Sequence, residues 1–256
     1  MASDECIYAY GFFGSLWSTT DGIAWTHIPL PFPHDLESME ATPMACLVTR
    51  RDREVWISFD DVNWSQVEAP HTVDGRAYQS QIRMGNGVLV RAISAGAFSG
   101  RSGYPESGLR EYSTTGREWT PVSIEGGVKG ALEFGLDRFL LRNHNGIWRS
   151  FDGKTWERVS DLVSDGASLV SGNGVFVMND LNQASGFRTW VSADGASWTA
   201  VNRTKPSESI IALGFFDGWF YARSGLDPGA SILRSADGIN WQVMDPPTAF
   251  DPFKTA

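Results

Sequence analysis

Short apolar runs alternate with brief polar punctuation along the whole chain, and nowhere does an apolar stripe keep a helical period. The stretch from Gly130 shows the unit. GALEF (130–134) is followed by Gly135-Leu136-Asp137, then FLLRN (139–143), His144-Asn145-Gly146, IWRS (147–150), Asp152-Gly153 and TWERV (155–159). Runs of roughly four to six residues bounded by Gly, Asn and Asp read as strands joined by tight turns. Gly-Asn-Gly at 85–87 and 172–174, and Asp-Gly at 217–218, 194–195 and 237–238, place the same hairpins elsewhere. Such pairs accept positive φ at little cost. The second strand of each unit (VLVRA, FLLRN, VFVMN, FYARS) is almost continuously apolar. That suits a strand covered on both faces. The fold class expected is all-β.

One word punctuates the pattern six times: TTDGIAW (19–25), SFDDVNW (58–64), STTGREW (113–119), SFDGKTW (150–156), SADGASW (192–198) and SADGINW (235–241). The closing Trp residues (Trp25, Trp64, Trp119, Trp156, Trp198 and Trp241) are 39, 55, 37, 42 and 43 residues apart. A unit of about 40 residues with four strand signals is the size of a propeller blade. The expectation is a six-bladed β-propeller of four-stranded antiparallel blades, forming one domain over residues 1–256. The first unit offers CIYAY, SLWST and AWTHI but no room for an innermost strand. The segment from about Ala249 to Lys254 is expected to supply it by pairing with Cys6–Tyr10, despite Pro252. A three-stranded first blade is the alternative.

The word has a mechanical meaning. The Asp side chain (Asp21, Asp60, Asp152, Asp194, Asp237) is expected to accept backbone N–H bonds inside the turn. The following Gly takes the left-handed position, and the Trp packs back over the hairpin. Thr115 replaces Asp in the third copy and Asp61 replaces Gly in the second, so both turns are expected to be looser. A further Trp stands two residues before the Ser or Thr at Trp17, Trp56, Trp148 and Trp190, on the same strand face. Glu111 and Leu233 hold that position in the other two copies.

These words resemble the Asp-box, or BNR, repeat, S-x-D-x-G-x-T-W; most copies here read S-x-D-G-x-x-W, one residue shorter. The resemblance implies the propeller fold of sialidase-type proteins. It leaves activity open, since the box occurs in glycosidases, receptors, assembly factors and phage structural proteins. The short box is similar in style to the phage proteins.

Charge narrows the partners. The formal net charge is −9, which disfavours nucleic acid and anionic membrane surfaces. No segment approaches the length of an apolar membrane span, and MASDECIYAY lacks the features of a signal peptide. The expected setting is a virion if the chain is viral, and otherwise the cytoplasm. The two cysteines, Cys6 and Cys46, sit in apolar runs and read as small buried hydrophobes rather than a disulfide framework. His27, His34, His71 and His144 show no metal-ligand spacing, and no cofactor is implied.

Function is expected at the blade end opposite the box turns. The long connections 93–108, 179–186, 224–230 and 29–35 gather there, and variable loops on a rigid scaffold favour binding. Arg91, Arg142 and Arg223, aligned by their preceding turns, fall near that end. Several arginines could hold a carboxylate or phosphate; equally, they could brace the sheets against each other, which is the outcome expected. Sialidases hold their substrate carboxylate with three arginines, but the family's F/Y-R-I-P word is absent and Arg188 in FRTW does not match it. Glu106, Asp165, Asp180 and Asp227 are carboxylates on that end, with nothing to pair them as glycosidase acid and nucleophile. No residue is assigned a catalytic role. The sequence therefore points to a non-catalytic binding or structural module, most simply a phage virion component whose partners are other virion proteins or a host surface glycan. A small sialidase-like hydrolase and a cellular assembly scaffold are the alternatives, and oligomerisation is left open.

Overall fold

The Asn-Gly and Asp-Gly pairs form the two-residue turns that their chemistry favours. Asn86, Asn173 and Asp217 have φ of 50°, 45° and 48°, and Gly87, Gly174 and Gly218 follow at 73°, 76° and 72°. Two successive positive φ values match the right-handed twist of the strands they join. The computed structural model describes residues 7–10, 15–20, 23–32, 36–41, 45–50, 54–67, 79–94, 110–125, 130–143, 145–162, 168–180, 188–201, 210–224 and 231–244.

Six antiparallel sheets follow one another along the chain. The first holds β1 (Ile7–Tyr10), β2 (Leu16–Thr19) and β3 (Thr26–Ile28). The second holds β4 (Leu36–Ala41), β5 (Cys46–Arg50), β6 (Val55–Ser58) and β7 (Trp64–Gln66). The third holds β8 (Gln79–Gly85), β9 (Val88–Ser94), β10 (Arg110–Ser113) and β11 (Thr120–Pro121). The fourth holds β12 (Gly130–Gly135), β13 (Arg138–Asn143), β14 (Gly146–Ser150) and β15 (Glu157–Ser160). The fifth holds β16 (Leu169–Gly172), β17 (Val175–Asp180), β18 (Arg188–Ser192) and β19 (Thr199–Val201). The sixth holds β20 (Ile211–Phe216), β21 (Trp219–Arg223), β22 (Ile232–Ser235) and β23 (Gln242–Val243). There is no helix among the described residues, and so none long and apolar enough to cross a membrane.

The second strands of sheets two to five are apolar on both faces because each packs against two neighbours. Leu16 and Ile28 of the first sheet meet Cys46 of the second. Leu47 and Ile57 meet Ile82, Met84 and Leu89 of the third. Val88 and Val90 meet Leu132, Phe139 and Leu141 of the fourth. Leu140 and Ile147 then meet Phe176 and Met178 of the fifth, whose Val177 and Val191 meet Phe220 of the sixth. Alternate residues of one strand thus serve opposite seams, as the two-residue period requires.

Polar bonds fix the spacing of successive sheets. Asn86 Nδ2 donates to Asp137 O at 3.0 Å and Phe151 O at 2.9 Å. Asn173 Nδ2 repeats the device on the sixth sheet, to Gly218 O at 2.7 Å and Ala236 O at 2.8 Å. At the seam between them, Arg138 and Arg149 each donate to Asp194 O. The turn residue that sets a hairpin therefore also clamps the next sheet, a role invisible in Asn-Gly as a turn signal.

The first sheet holds three strands among the described residues. The closing strand expected near residues 249–254, and its partner Cys6, lie outside them, as does Asp21. Cys46 is buried, 1 % exposed.

Candidate functional site

The repeated turn is built as a self-contained cap. Asp194 Oδ1 accepts the N–H groups of Ala196 and Ser197 at 2.8 and 2.7 Å and the Ser192 hydroxyl at 3.0 Å. Asp152 and Asp237 make the same three bonds within their own turns. Three donors aimed at one carboxylate favour its charged form. Asp194 is accordingly held at about 2, chiefly by the Ser197 N–H. Asp60 is also held at about 2, chiefly by the N–H of Asn63. For Asp237, burial is the largest single influence and pushes upward; the bonds from Asn240, Ile239 and Ser235 outweigh it and leave the carboxyl at about 2.

The Trp closes the turn in a way the sequence did not reveal. Trp156, Trp198 and Trp241 donate their indole N–H to the carbonyl of the box Gly, at 3.1, 3.1 and 2.9 Å. The rings are half buried, and Trp25 is 40 % exposed, because the fourth strand is the outer edge of each sheet. The box Gly also has a second task. A Cβ on Gly195 would lie 2.7 Å from Leu140 of the preceding sheet, and one on Gly238 would run into Val177. The divergent copies differ from the others in single bonds. With Thr115 in place of Asp, the third turn keeps Ser113 as acceptor but has no carboxylate. In the second, Asp61 adopts φ 60° and the Asp60 cap survives, yet Trp64 Nε1 finds no partner.

Box turns and first-hairpin turns share one end of the sheets by antiparallel alternation, and the longer connections share the other. Most of the long connections, with Glu106, Asp165 and Asp227, lie outside the described residues. The second strands that rise toward that end can be compared rung by rung. The box serines Ser58, Ser113, Ser150, Ser192 and Ser235 stand opposite Cys46, Leu89, Phe139, Phe176 and Phe220. Counting two residues on from these gives Val48, Arg91, Leu141, Met178 and Ala222. Counting three gives Thr49, Ala92, Arg142, Asn179 and Arg223. Arg91 is thus one rung short of Arg142 and Arg223, on the opposite sheet face. The turns and strand starts are equivalent in the three sheets, so the three do not align: Arg91 is the fourth residue of β9, whereas Arg142 and Arg223 are the fifth of β13 and β21.

Arg91 belongs to the interior. Its Nε donates to Glu111 Oε2 at 2.6 Å, Nη2 adds a second contact, and the two side chains are 1 % and 2 % exposed. The guanidinium lies 4.1 Å from the Trp119 ring centroid. Arg110, on the neighbouring rung, is also buried; desolvation pushes it down to about 10, so it stays charged at neutral pH, and it donates to Ile124 O at 3.1 Å. The recess around it, between Val90, Ile124, Leu141 and Trp156, has no room for a water-sized molecule.

The polar rung of the last three sheets is different. Arg142 is buried and Arg223 half buried. Between them in sequence, Asn179 is 0 % exposed, and neither its amide nitrogen nor its amide oxygen has a hydrogen-bond partner. Its backbone N–H is satisfied by Ser168 O. It shares a face with Val177, toward the sixth sheet, where Ala222 and Leu233 replace the aliphatic–Trp pairs of the other seams (Leu141–Trp148, Met178–Trp190). An orphaned buried carboxamide beside reduced side-chain volume is the sort of feature that a guest molecule or water satisfies. Sequence reasoning missed Asn179 because a single Asn at a strand end reads as turn chemistry. No group of three or more His, Cys, Asp or Glu among the described residues is placed to hold a metal.

Several solved structures share this architecture. YCF48 bound to a D1 peptide superposes with a TM-score of 0.56 over 95 % of this chain and 78 % of that one, at 16 % identity. A chain of the nidogen/laminin complex gives 0.55 over 94 % and 91 %, at 10 % identity. TolB from Acinetobacter baumannii gives 0.56 over 93 % and 63 %, at 10 % identity. At these identities the likeness establishes the fold alone, a β-propeller, in which a four-stranded antiparallel sheet is one blade. No family model and no curated protein matches the chain.

Proposed function

We propose that the six blades close into one ring, a single domain, and that it is a non-catalytic module binding a peptide or protein segment on the loop-bearing end of blades four to six. The observation that carries this reading is the polar rung Arg142, Asn179 and Arg223, with the orphaned Asn179 carboxamide at its centre. A carboxamide presents one acceptor and one donor group, the complement of a peptide bond. Flanking guanidiniums suit a carboxylate on the same ligand. Two of the similar propellers are described in complex with a peptide and with laminin, which supports a protein ligand over a small substrate. The box face has no comparable role, since Asp152, Asp194 and Asp237 are occupied within their own turns.

A virion component that contacts host glycans is a narrower form of the binding proposal; its support is the short box alone. A peptide selection against the purified chain tests the main reading. Arg223→Ala and Asn179→Leu should each abolish or strongly weaken binding of the selected peptide, and Arg91→Ala should not weaken it in chains that remain folded. A glycan array that captures the chain while peptide selection yields nothing would favour the narrower form.

A further inference from the structure

Two asparagines clamp neighbouring blades with the same carboxamide that an Asn-Gly pair exposes to attack by its own backbone. The sequence has three such pairs, Asn86-Gly87, Asn145-Gly146 and Asn173-Gly174. In each, no side chain on the glycine hinders its nitrogen from adding to the asparagine Cγ. The fold separates the three. Asn86 and Asn173 are exposed, and a Cβ on Gly87 or Gly174 would meet open space. Asn145 is half buried and Gly146 buried, and a Cβ on Gly146 would run into Ser160 O. Water and backbone movement thus have access to the first two pairs and far less to the third. The first two carboxamides are also tethered. Asn86 Nδ2 spans Asp137 O and Phe151 O, across the seam between blades three and four. Asn173 Nδ2 spans Gly218 O and Ala236 O, across the seam between blades five and six. Attack requires the carboxamide carbon to turn onto the following nitrogen, and these bonds hold it on the neighbouring blade. Blade six shows what a carboxylate does at this position. Asp217 has φ of 48°, against 50° and 45° for Asn86 and Asn173, and Gly218 follows at 72°. The turn therefore accepts an aspartate in place of an asparagine. The clamp does not, because an ionised carboxylate only accepts hydrogen bonds and has none to give to a carbonyl oxygen.

We propose that Asn86 and Asn173 are sites of hydrolytic deamidation, with water as the co-reactant, and that release of the local blade seam rather than unfolding of the chain admits the reaction. The glycine nitrogen bonds to the asparagine Cγ and gives up its proton. The Cγ–Nδ2 bond breaks, and the amide nitrogen leaves as ammonia. Water then opens the cyclic imide at either carbonyl, giving aspartate or isoaspartate. No oxidant or reductant takes part. In the aspartate product, the two N–H donors of the clamp are replaced by an anion that faces two carbonyl oxygens. That arrangement opposes reclosure of the seam, while the hairpin persists as it does at Asp217. Isoaspartate adds a carbon to the main chain and disturbs the two-residue turn as well. Either product makes the modification a one-way release of one blade seam.

Peptide mapping by mass spectrometry, during incubation of the full chain at mildly alkaline pH, tests this. Asn86 and Asn173 should convert while Asn145 does not, and in denaturant all three should convert at similar rates. Two glycine variants assign the route. A Cβ on Gly153 would lie 2.7 Å from Val90, in the seam that Asn86 clamps, and one on Gly238 would run into Val177, in the seam that Asn173 clamps. Gly153→Ala should speed conversion of Asn86 by about tenfold, and Gly238→Ala that of Asn173, each leaving the other site unchanged. Urea below the unfolding transition makes the same distinction in the native chain: seam release keeps the two rates apart, and global unfolding drives them to one value. Asn173→Asp reads the consequence without the reaction. It should shift the unfolding equilibrium by about tenfold toward the unfolded chain, as loss of two hydrogen bonds does, with the amides of β16 and β17 still protected. Three outcomes overturn the proposal. Asn86 and Asn173 stay unmodified in the folded chain when the denatured chain has converted. A glycine variant, or urea, speeds both sites equally, which makes unfolding of the whole chain the route. Or Asn173→Asp leaves stability unchanged, which removes the clamp.

Discussion

Arg91 and Glu111 stand directly opposite each other across β9 and β10, on the rung where blades two, four and five pair an aliphatic side chain with Trp56, Trp148 or Trp190. The third blade has exchanged a hydrophobic pair for an ion pair at one fully buried site. Both substitutions are needed together, because either charge alone would be desolvated without a partner.

Arg91→Ala should therefore cost about 3–5 kcal/mol, the scale for leaving a buried charge unpaired. Arg91→Leu combined with Glu111→Trp should recover that loss, and could exceed the native stability by about 1–4 kcal/mol. Denaturant titrations of the two single variants and the double variant measure the coupling. Additive effects of the single substitutions would contradict the pairing.

The box carboxylates make a pH-dependent contribution. Asp60, Asp194 and Asp237 are held at about 2, below the ordinary 3.8. A depressed carboxyl stabilises the fold fully above its unfolded value and loses that contribution as pH falls toward its folded one. Thermal stability should thus fall between about pH 4 and pH 2, and the fall should be smaller in Asp194→Ala. At neutral pH, Asp194→Ala and Asp237→Ala should each cost about 1–2 kcal/mol, as loss of a capping oxygen does. A neutral-pH midpoint unchanged in both variants would show that the turn holds without its cap.

Gly238→Ala probes the contact between blades. It combines φ of 72° with a Cβ driven into Val177. The strain is about 1 kcal/mol for the left-handed backbone, with about 1–3 kcal/mol more for overpacking. Gly116→Ala pays only the backbone part, since its nearest neighbour would be 3.5 Å away. Unfolding free energies of the two variants should differ by the packing term; equal losses would mean that the turn alone decides.

What was legible in the sequence was whatever repeats. Six box words gave the number of sheets, and the Asn-Gly and Asp-Gly turns placed the hairpins, because turn chemistry is local and identical from blade to blade. What was not legible depends on the neighbouring blade. Nothing in SADG says that its Gly touches Val177, or that Asn173 reaches Ala236 O. The arginine alignment failed by one rung because Arg91 is one residue nearer its turn than Arg142 and Arg223 are to theirs, and one residue reverses the face of a side chain. Asn179 carried no sequence signal at all; its meaning comes from having both polar atoms unpartnered in a closed seam.

Asn179→Leu separates a binding group from a structural one. Replacing an unsatisfied buried carboxamide with an apolar side chain of similar size should leave stability unchanged or raise it by about 1–3 kcal/mol, while removing ligand binding. A lowered melting temperature would mean that the amide is satisfied within the folded chain.

The most direct test of the binding face is a hydrogen-exchange footprint of the chain with and without a selected peptide. Protection confined to the loop-bearing ends of β13, β17 and β21, around Arg142, Asn179 and Arg223, is the expected result. Protection centred on the box turns at 152–156, 194–198 and 237–241, with no change at β17, would contradict it and move the binding surface to the opposite face.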